Sequence, residues 1–195
     1  MGGIVTTVPF RFTEAPLLWT VPDALDAAVC AREVALIEAG APTLATDNPL
    51  YRDQDRVIRD DPTWVARLLA RMRPHLPETL GGLRLAGLNE RLRCYRYRPG
   101  QRFSPHMDHW YRPHPRHITL LTVLVYLNAD FEGGETRFME QLEATVTPEP
   151  GLAAVFQHKI RHEGCPVLRG TKYAIRTDVL YEAPSPIELD VTLGR

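Results

Sequence analysis

Ile118-Thr119-Leu120-Leu121-Thr122-Val123-Leu124-Val125-Tyr126-Leu127 is a run in which nearly every residue is apolar or β-branched. A run of that length falls well short of the roughly 18–20 residues of a membrane-spanning helix, and its content fits a core strand buried on both faces. The flanking sequence has the same texture. Leu92-Arg93-Cys94-Tyr95-Arg96-Tyr97 alternates, and Pro99-Gly100 follows as a turn. Gly133-Gly134 precedes Glu135-Thr136-Arg137-Phe138, Pro150-Gly151 precedes Leu152-Ala153-Ala154-Val155-Phe156, and Gly170 precedes Lys172 to Tyr181. Short strands set apart by glycine and proline predict an antiparallel sandwich or barrel.

The N-terminal part reads differently. Apolar residues recur at helical spacing from Asp23 to Gly40 and again after Asp60-Asp61-Pro62, where an acidic cap precedes a proline in the first turn. Ala41 to Asp60 is turn-rich and polar. The expectation is an α+β, mainly β, single domain: 1–82 a mostly helical supporting region, 83–183 the catalytic β core and 184–195 a peripheral tail.

The 195 residues carry 23 Lys+Arg against 24 Asp+Glu, a net charge of -1. Bulk binding to nucleic acid or anionic membrane needs surplus cations, so neither is expected as a partner. Three cysteines (Cys30, Cys94, Cys165) and an N-terminus without a basic stretch and long apolar core suggest a cytoplasmic chain.

The sharpest chemical feature is His106-Met107-Asp108. On a strand, residues i and i+2 share a face, so an imidazole and a carboxylate can converge on one metal ion. A third ligand must come from elsewhere, and His162 is the candidate, with His158 as the alternative. Two histidines and a carboxylate make the facial triad of non-haem Fe(II) oxygenases, which leaves positions open for cosubstrate and dioxygen. Zinc hydrolases using two histidines usually space them one helical turn apart next to a glutamate, a pattern missing here. Lys172 and Arg176 share a strand face beyond His162, and a buried cation there requires an anion. The far carboxylate of 2-oxoglutarate would supply it, with Lys172 preferred over Arg176. Tyr97 and Tyr126 could donate to the same carboxylate or simply pack.

These motifs carry a resemblance. Arg96 through Asp108, Thr122 through Asn128 with Phe131-Glu132-Gly133-Gly134-Glu135-Thr136, and His162-Glu163-Gly164-Cys165-Pro166-Val167 with Gly170-Thr171-Lys172-Tyr173 resemble the prolyl 4-hydroxylase-like 2-oxoglutarate- and Fe(II)-dependent dioxygenases. The similarity runs from Leu88 to Tyr181, with three motifs in the family's order. It implies a double-stranded β-helix, or jelly-roll, core. By position it implies iron on His106, Asp108 and His162, 2-oxoglutarate on Lys172 with Tyr97 and Tyr126, O2 as oxidant and ascorbate as a candidate reductant. Arg176 departs from the smaller residue expected at its position.

The implied activity is hydroxylation of an unactivated C–H bond, with succinate and CO2 as co-products. A small molecule or amino acid is the favoured substrate and a prolyl peptide the alternative. A metal-binding jelly-roll module without turnover is a rival of another class. For substrate contact, Trp110 is expected as an exposed aromatic in the His109–His117 loop, and Arg56 with Asp55 as a roof over the pocket.

Overall fold

The computed structural model describes residues 6–46 and 48–188. Residues 189–195 of the expected tail lie outside these. Two helices, α1 (Ala27–Ala39) and α2 (Pro62–Met72), lie against a large antiparallel sheet. Its strands are β1 (Leu18–Val21), β2 (Thr43–Leu44), β3 (Asp55–Asp60), β4 (Leu83–Leu88), β5 (Arg91–Tyr97), β7 (His117–Tyr126), β10 (Ala153–Gln157) and β12 (Lys172–Glu182), while β6 (Phe103–His106), β8 (Thr136–Met139), β9 (Ala144–Val146) and β11 (Arg161–Gly164) form a second sheet. The order is β1-β10-β7-β12-β5-β3-β2, and β4 pairs with the far half of β12. The second sheet has the order β9-β8-β11-β6, from Ala144–Val146, Thr136–Met139, Arg161–Gly164 and Phe103–His106. The mainly β jelly-roll expectation holds.

Two-residue periodicity sorts the large sheet's side chains. Leu92 and Cys94, Val123 and Val125, Val155, and Ile175 and Val179 join Cys30 and Ile37 of α1 and Val65, Leu68 and Met72 of α2 in the main core. The alternate positions Tyr126, Ala154, Phe156 and Ala174 turn to the second sheet and meet Phe138. β7 is therefore buried on both faces, as its composition predicts. Each large apolar side chain buried this way contributes about 1.5–3 kcal/mol.

The helix signals are partly as read. Asp61 caps α2 by accepting from the Trp64 amide at 2.9 Å, and Pro62 opens the helix. α1 begins four residues later than Asp23, which sits at φ 53°, a left-handed conformation no helix can start from. The 1–82 region is less helical than expected. Its supposedly turn-rich stretch contains β3, which pairs residue by residue with β5 from Asp55↔Arg96 to Asp60↔Arg91. Its charged residues hide the strand because they alternate. Asp55 and Arg59 face α1, pairing with Arg96 and Glu33, while Gln54 and Arg56 take the opposite face.

The Gly133-Gly134 turn closes the end of the jelly roll. Both residues have φ near 70°, and a Cβ at Gly133 would come within 2.5 Å of the Pro166 carbonyl oxygen. Only glycine fits there.

Candidate metal centre and cosubstrate pocket

His106 is the last residue of β6, and His162 on β11 is its direct antiparallel partner. Strand pairing alone therefore brings together two imidazoles 56 positions apart, with ring centroids 4.3 Å from each other. Asp108 follows just past the end of β6 rather than within a strand, and its backbone N–H donates to the His158 carbonyl oxygen at 2.9 Å. One Asp108 oxygen lies 3.8 Å from His106 Nε2, the other 3.9 Å from His162 Nε2. The three ligand atoms sit within 4.8 Å of one another, and all three residues are buried.

Each imidazole is oriented by its own backbone. His106 Nδ1 lies 2.8 Å from the Ser104 carbonyl oxygen and His162 Nδ1 lies 3.1 Å from that of Ile160. A proton on each Nδ1 satisfies those carbonyls and leaves both Nε2 lone pairs facing Asp108, the tautomer a metal requires. Phe103 stacks on His106 at 3.6 Å, and Phe156 meets His162 edge-on at 4.6 Å. Burial pushes His106 down to about 3, helped by neighbouring His162, and burial also lowers His162. Both imidazoles are therefore neutral and available as ligands.

Asp108 is held from two sides. Thr122 Oγ1 donates to one oxygen at 2.5 Å, and Arg176 Nη1 approaches the other at 2.6 Å. Burial alone would raise its carboxyl, but the Arg176 guanidinium and then the histidines hold it well below the usual carboxylate range. Arg176 also grips Asp178 through Nη2 at 2.8 Å, and Asp178 receives Arg93 at 2.9 Å. His158, the alternative ligand, lies 3.5 Å from Asp178 and is no member of the triad cluster.

Lys172 presents the opposite situation. It is 2% exposed, and its ammonium donates to the Gly134 carbonyl oxygen at 2.6 Å between the faces of Tyr97 and Tyr126. No carboxylate among the described residues lies within ion-pair distance, and burial pushes its pKa down to about 8. A buried cation held only by a carbonyl and two rings fits the distal carboxylate of a keto diacid. The triad's neutral nitrogens and carboxylate oxygen fit a ferrous ion. The adjoining cavity, about 350 Å³ including space open to solvent, is lined by His106, Asp108, His162, Tyr95, Thr122, Thr136 and Arg176 among others.

Two expectations are corrected. Trp110 is half-buried against the main core, edge-on to Phe10 and covered by the Lys159 ammonium at 4.5 Å, and it does not line the cavity. The loop it belongs to turns away because Arg112 and Arg116 are tied to backbone oxygens of Ile187 and Ala183. Arg176, weighed as a rival for 2-oxoglutarate, is instead committed to Asp108 and Asp178. Thr122 and Asp178 escaped the sequence reading. For Thr122 the signal was a polar residue on the pocket-facing parity of a mostly apolar strand, and for Asp178 it was a carboxylate two residues from Arg176 on the same strand face.

Comparison with known proteins follows the same lines. Residues 92–177 match the family model described as the 2OG-Fe(II) oxygenase superfamily. None of the curated proteins searched matches the sequence. Among solved structures, the chain superposes on the viral collagen prolyl hydroxylase of Paramecium Bursaria Chlorella virus-1 in its 2OG complex with a TM-score of 0.68 at 21% identity, covering 87% of this chain and 98% of that one. A Pseudomonas putida prolyl-4-hydroxylase gives 0.62 at 20% identity over 84% and 91% of the two chains. A Trichoplax adhaerens prolyl hydroxylase, in complex with a hypoxia inducible factor oxygen degradation domain peptide fragment, gives 0.63 at 17% over 84% and 83%. These likenesses establish a shared fold. The family match covers the strands that carry the triad and Lys172, so the region of this chain that resembles the 2OG-Fe(II) oxygenase superfamily is the one that holds the candidate site.

Proposed function

We propose that this protein is an oxygenase that hydroxylates an unactivated C–H bond of a small molecule or amino acid, consuming 2-oxoglutarate and O2 and releasing succinate and CO2. The observation that carries the reading is the pairing of the His106/Asp108/His162 cluster with Lys172, a buried cation lacking a carboxylate partner. Ferrous iron and 2-oxoglutarate, when bound, supply the O2 chemistry: one oxygen atom enters the succinate and the other the substrate C–H bond.

The chain's own residues provide placement and dryness. His106 and His162 offer Nε2, with Nδ1 tied back to the strand, and Asp108 offers an oxygen held against rotation by Thr122 and Arg176. Lys172 receives the distal carboxylate, exchanging the Gly134 carbonyl for a charged acceptor, which strengthens the hydrogen bond. Tyr97 and Tyr126 flank that ammonium and exclude water from it. Phe103 and Phe156 wall the two imidazoles with apolar surface. Fixed groups in a water-poor pocket lower the cost of orienting reactants.

A second reading, peptidyl prolyl hydroxylation, is favoured by the fold's likeness to prolyl hydroxylases, one of them bound to a peptide fragment. Succinate release measured with a panel of free amino and other small organic acids against proline-rich peptides separates the two. We expect a small molecule to stimulate release; stimulation by peptides alone would select the second reading.

A further inference from the structure

Beside the pocket lies a cation that the proposed chemistry does not use. In the register of the large sheet, Ala174 on β12 opposes Tyr95 on β5, and Tyr95 opposes Arg56 on β3. Directly opposed residues put their side chains on the same face. Tyr95 lines the cavity, so Arg56 lies on the cavity's side of the sheet, one strand further out. The row below runs Lys172, Tyr97 and then, by continuation of the register, Gln54. The row above runs Arg176, Arg93 and Ile58.

The charges on this face do not balance. Asp108 and Asp178 are taken by Arg176 and Arg93. Arg56 is half-buried, and no carboxylate among the described residues lies within ion-pair distance of it. Burial and the guanidinium groups of Arg52, Arg93 and Arg91 all disfavour its charge. Next to it, Gln54 is fully buried, and neither its amide nitrogen nor its amide oxygen has a hydrogen-bond partner. An unpaired guanidinium on a pocket-flanking strand and an unpaired buried amide two residues before it cost stability unless a ligand meets them.

We infer that Arg56, assisted by Gln54, forms a subsite at the pocket mouth for a carboxylate group on the substrate. A guanidinium fork matches a carboxylate through two parallel hydrogen bonds, and the Gln54 amide can donate a third. With neighbouring strands about 4.8 Å apart, Arg56 stands roughly 10 Å across the sheet from Ala174, within reach of a small acid whose other end lies at the triad. This rests on the proposed oxygenase reading of the same pocket and narrows it. A free acid fills such a subsite, whereas an internal residue of a peptide has no carboxylate to offer there.

The test follows the Arg56 Nε–Hε resonance in arginine-labelled protein loaded with Zn(II) in place of iron and with 2-oxoglutarate. Acetate, acetamide and methyl phosphate are the probes. We expect a saturable shift with acetate and none with acetamide, and Arg56→Gln should weaken acetate binding by about ten-fold or more, the loss of a charged hydrogen-bond pair. A non-saturating response, an equal response to acetamide, or unchanged acetate binding in Arg56→Gln would overturn the subsite. Tighter binding of methyl phosphate would overturn its carboxylate class. Binding of 2-oxoglutarate to the same samples is measured separately. Its failure in the unsubstituted protein would sink the oxygenase reading, whereas its success without an acetate response would sink only the subsite.

Discussion

Lys172, buried, and Arg176, partly buried, are cations four residues apart on one face of one strand, yet their surroundings are opposite. Arg176 is saturated, with Asp108 at 2.6 Å and Asp178 at 2.8 Å. Lys172 has a carbonyl oxygen, two aromatic faces and no carboxylate. A guanidinium in that setting finishes a structure, since it fixes the rotation of a carboxylate that must present one oxygen to a metal. An ammonium in the other setting is unfinished, and a dicarboxylate completes it. The difference between the ends of the pocket is thus one of compensation. Charge is balanced within the chain at the metal end and awaits a ligand at the other.

The comparison can be broken at the metal end first. Asp108→Ala removes the one anionic ligand, and Fe(II) affinity should drop by more than about 100-fold, beyond the range seen when only a supporting residue is lost. Arg176 keeps Asp178, so the circular dichroism spectrum should be unchanged. Arg176→Gln comes next. It leaves all three ligands in place but frees the Asp108 carboxylate to rotate, and metal affinity should fall by about 10- to 100-fold. Equal 2-oxoglutarate affinity in metal-loaded Arg176→Gln and the unsubstituted protein, at matched metal occupancy, would sharpen the division of labour.

The smallest effect is a pH dependence at the other end. Burial holds Lys172 near 8, below its ordinary value, so its charge is complete well below pH 8 and is lost as pH rises through it. Binding of 2-oxoglutarate, which needs that charge, should weaken by about five-fold between pH 8 and pH 9. Lys172→Arg should flatten the profile, because a guanidinium keeps its proton throughout. Titration calorimetry at both pH values reads the difference.

Much of this was legible in the sequence. The β7 run, the glycine turns and the Asp61-Pro62 helix start announce themselves through local rules of burial, turn geometry and capping. The triad was legible because its spacing and order are distinctive, and Lys172 because a cation between strand apolars demands a partner. The β3 strand was not, because Asp55-Arg56-Val57-Ile58-Arg59-Asp60 lacks the apolar alternation of a half-buried strand. Its outer residues face α1 through ion pairs, and pairing with β5 overrides its weak strand propensity. Trp110 departs from its expected place for a related reason. Proximity to Asp108 in sequence says nothing about loop direction, which is set by Arg112 and Arg116 bonding to a segment some 70 residues away.

Anaerobic calorimetry of 2-oxoglutarate binding, with and without Fe(II), in the unsubstituted protein and in Lys172→Ala tests both ends of the pocket most directly. One molecule should bind per chain only when the metal is present, and loss of the ammonium should weaken it by at least about ten-fold. Binding indifferent to iron, or as tight without Lys172 as with it, would contradict the assignment of both ends of the pocket.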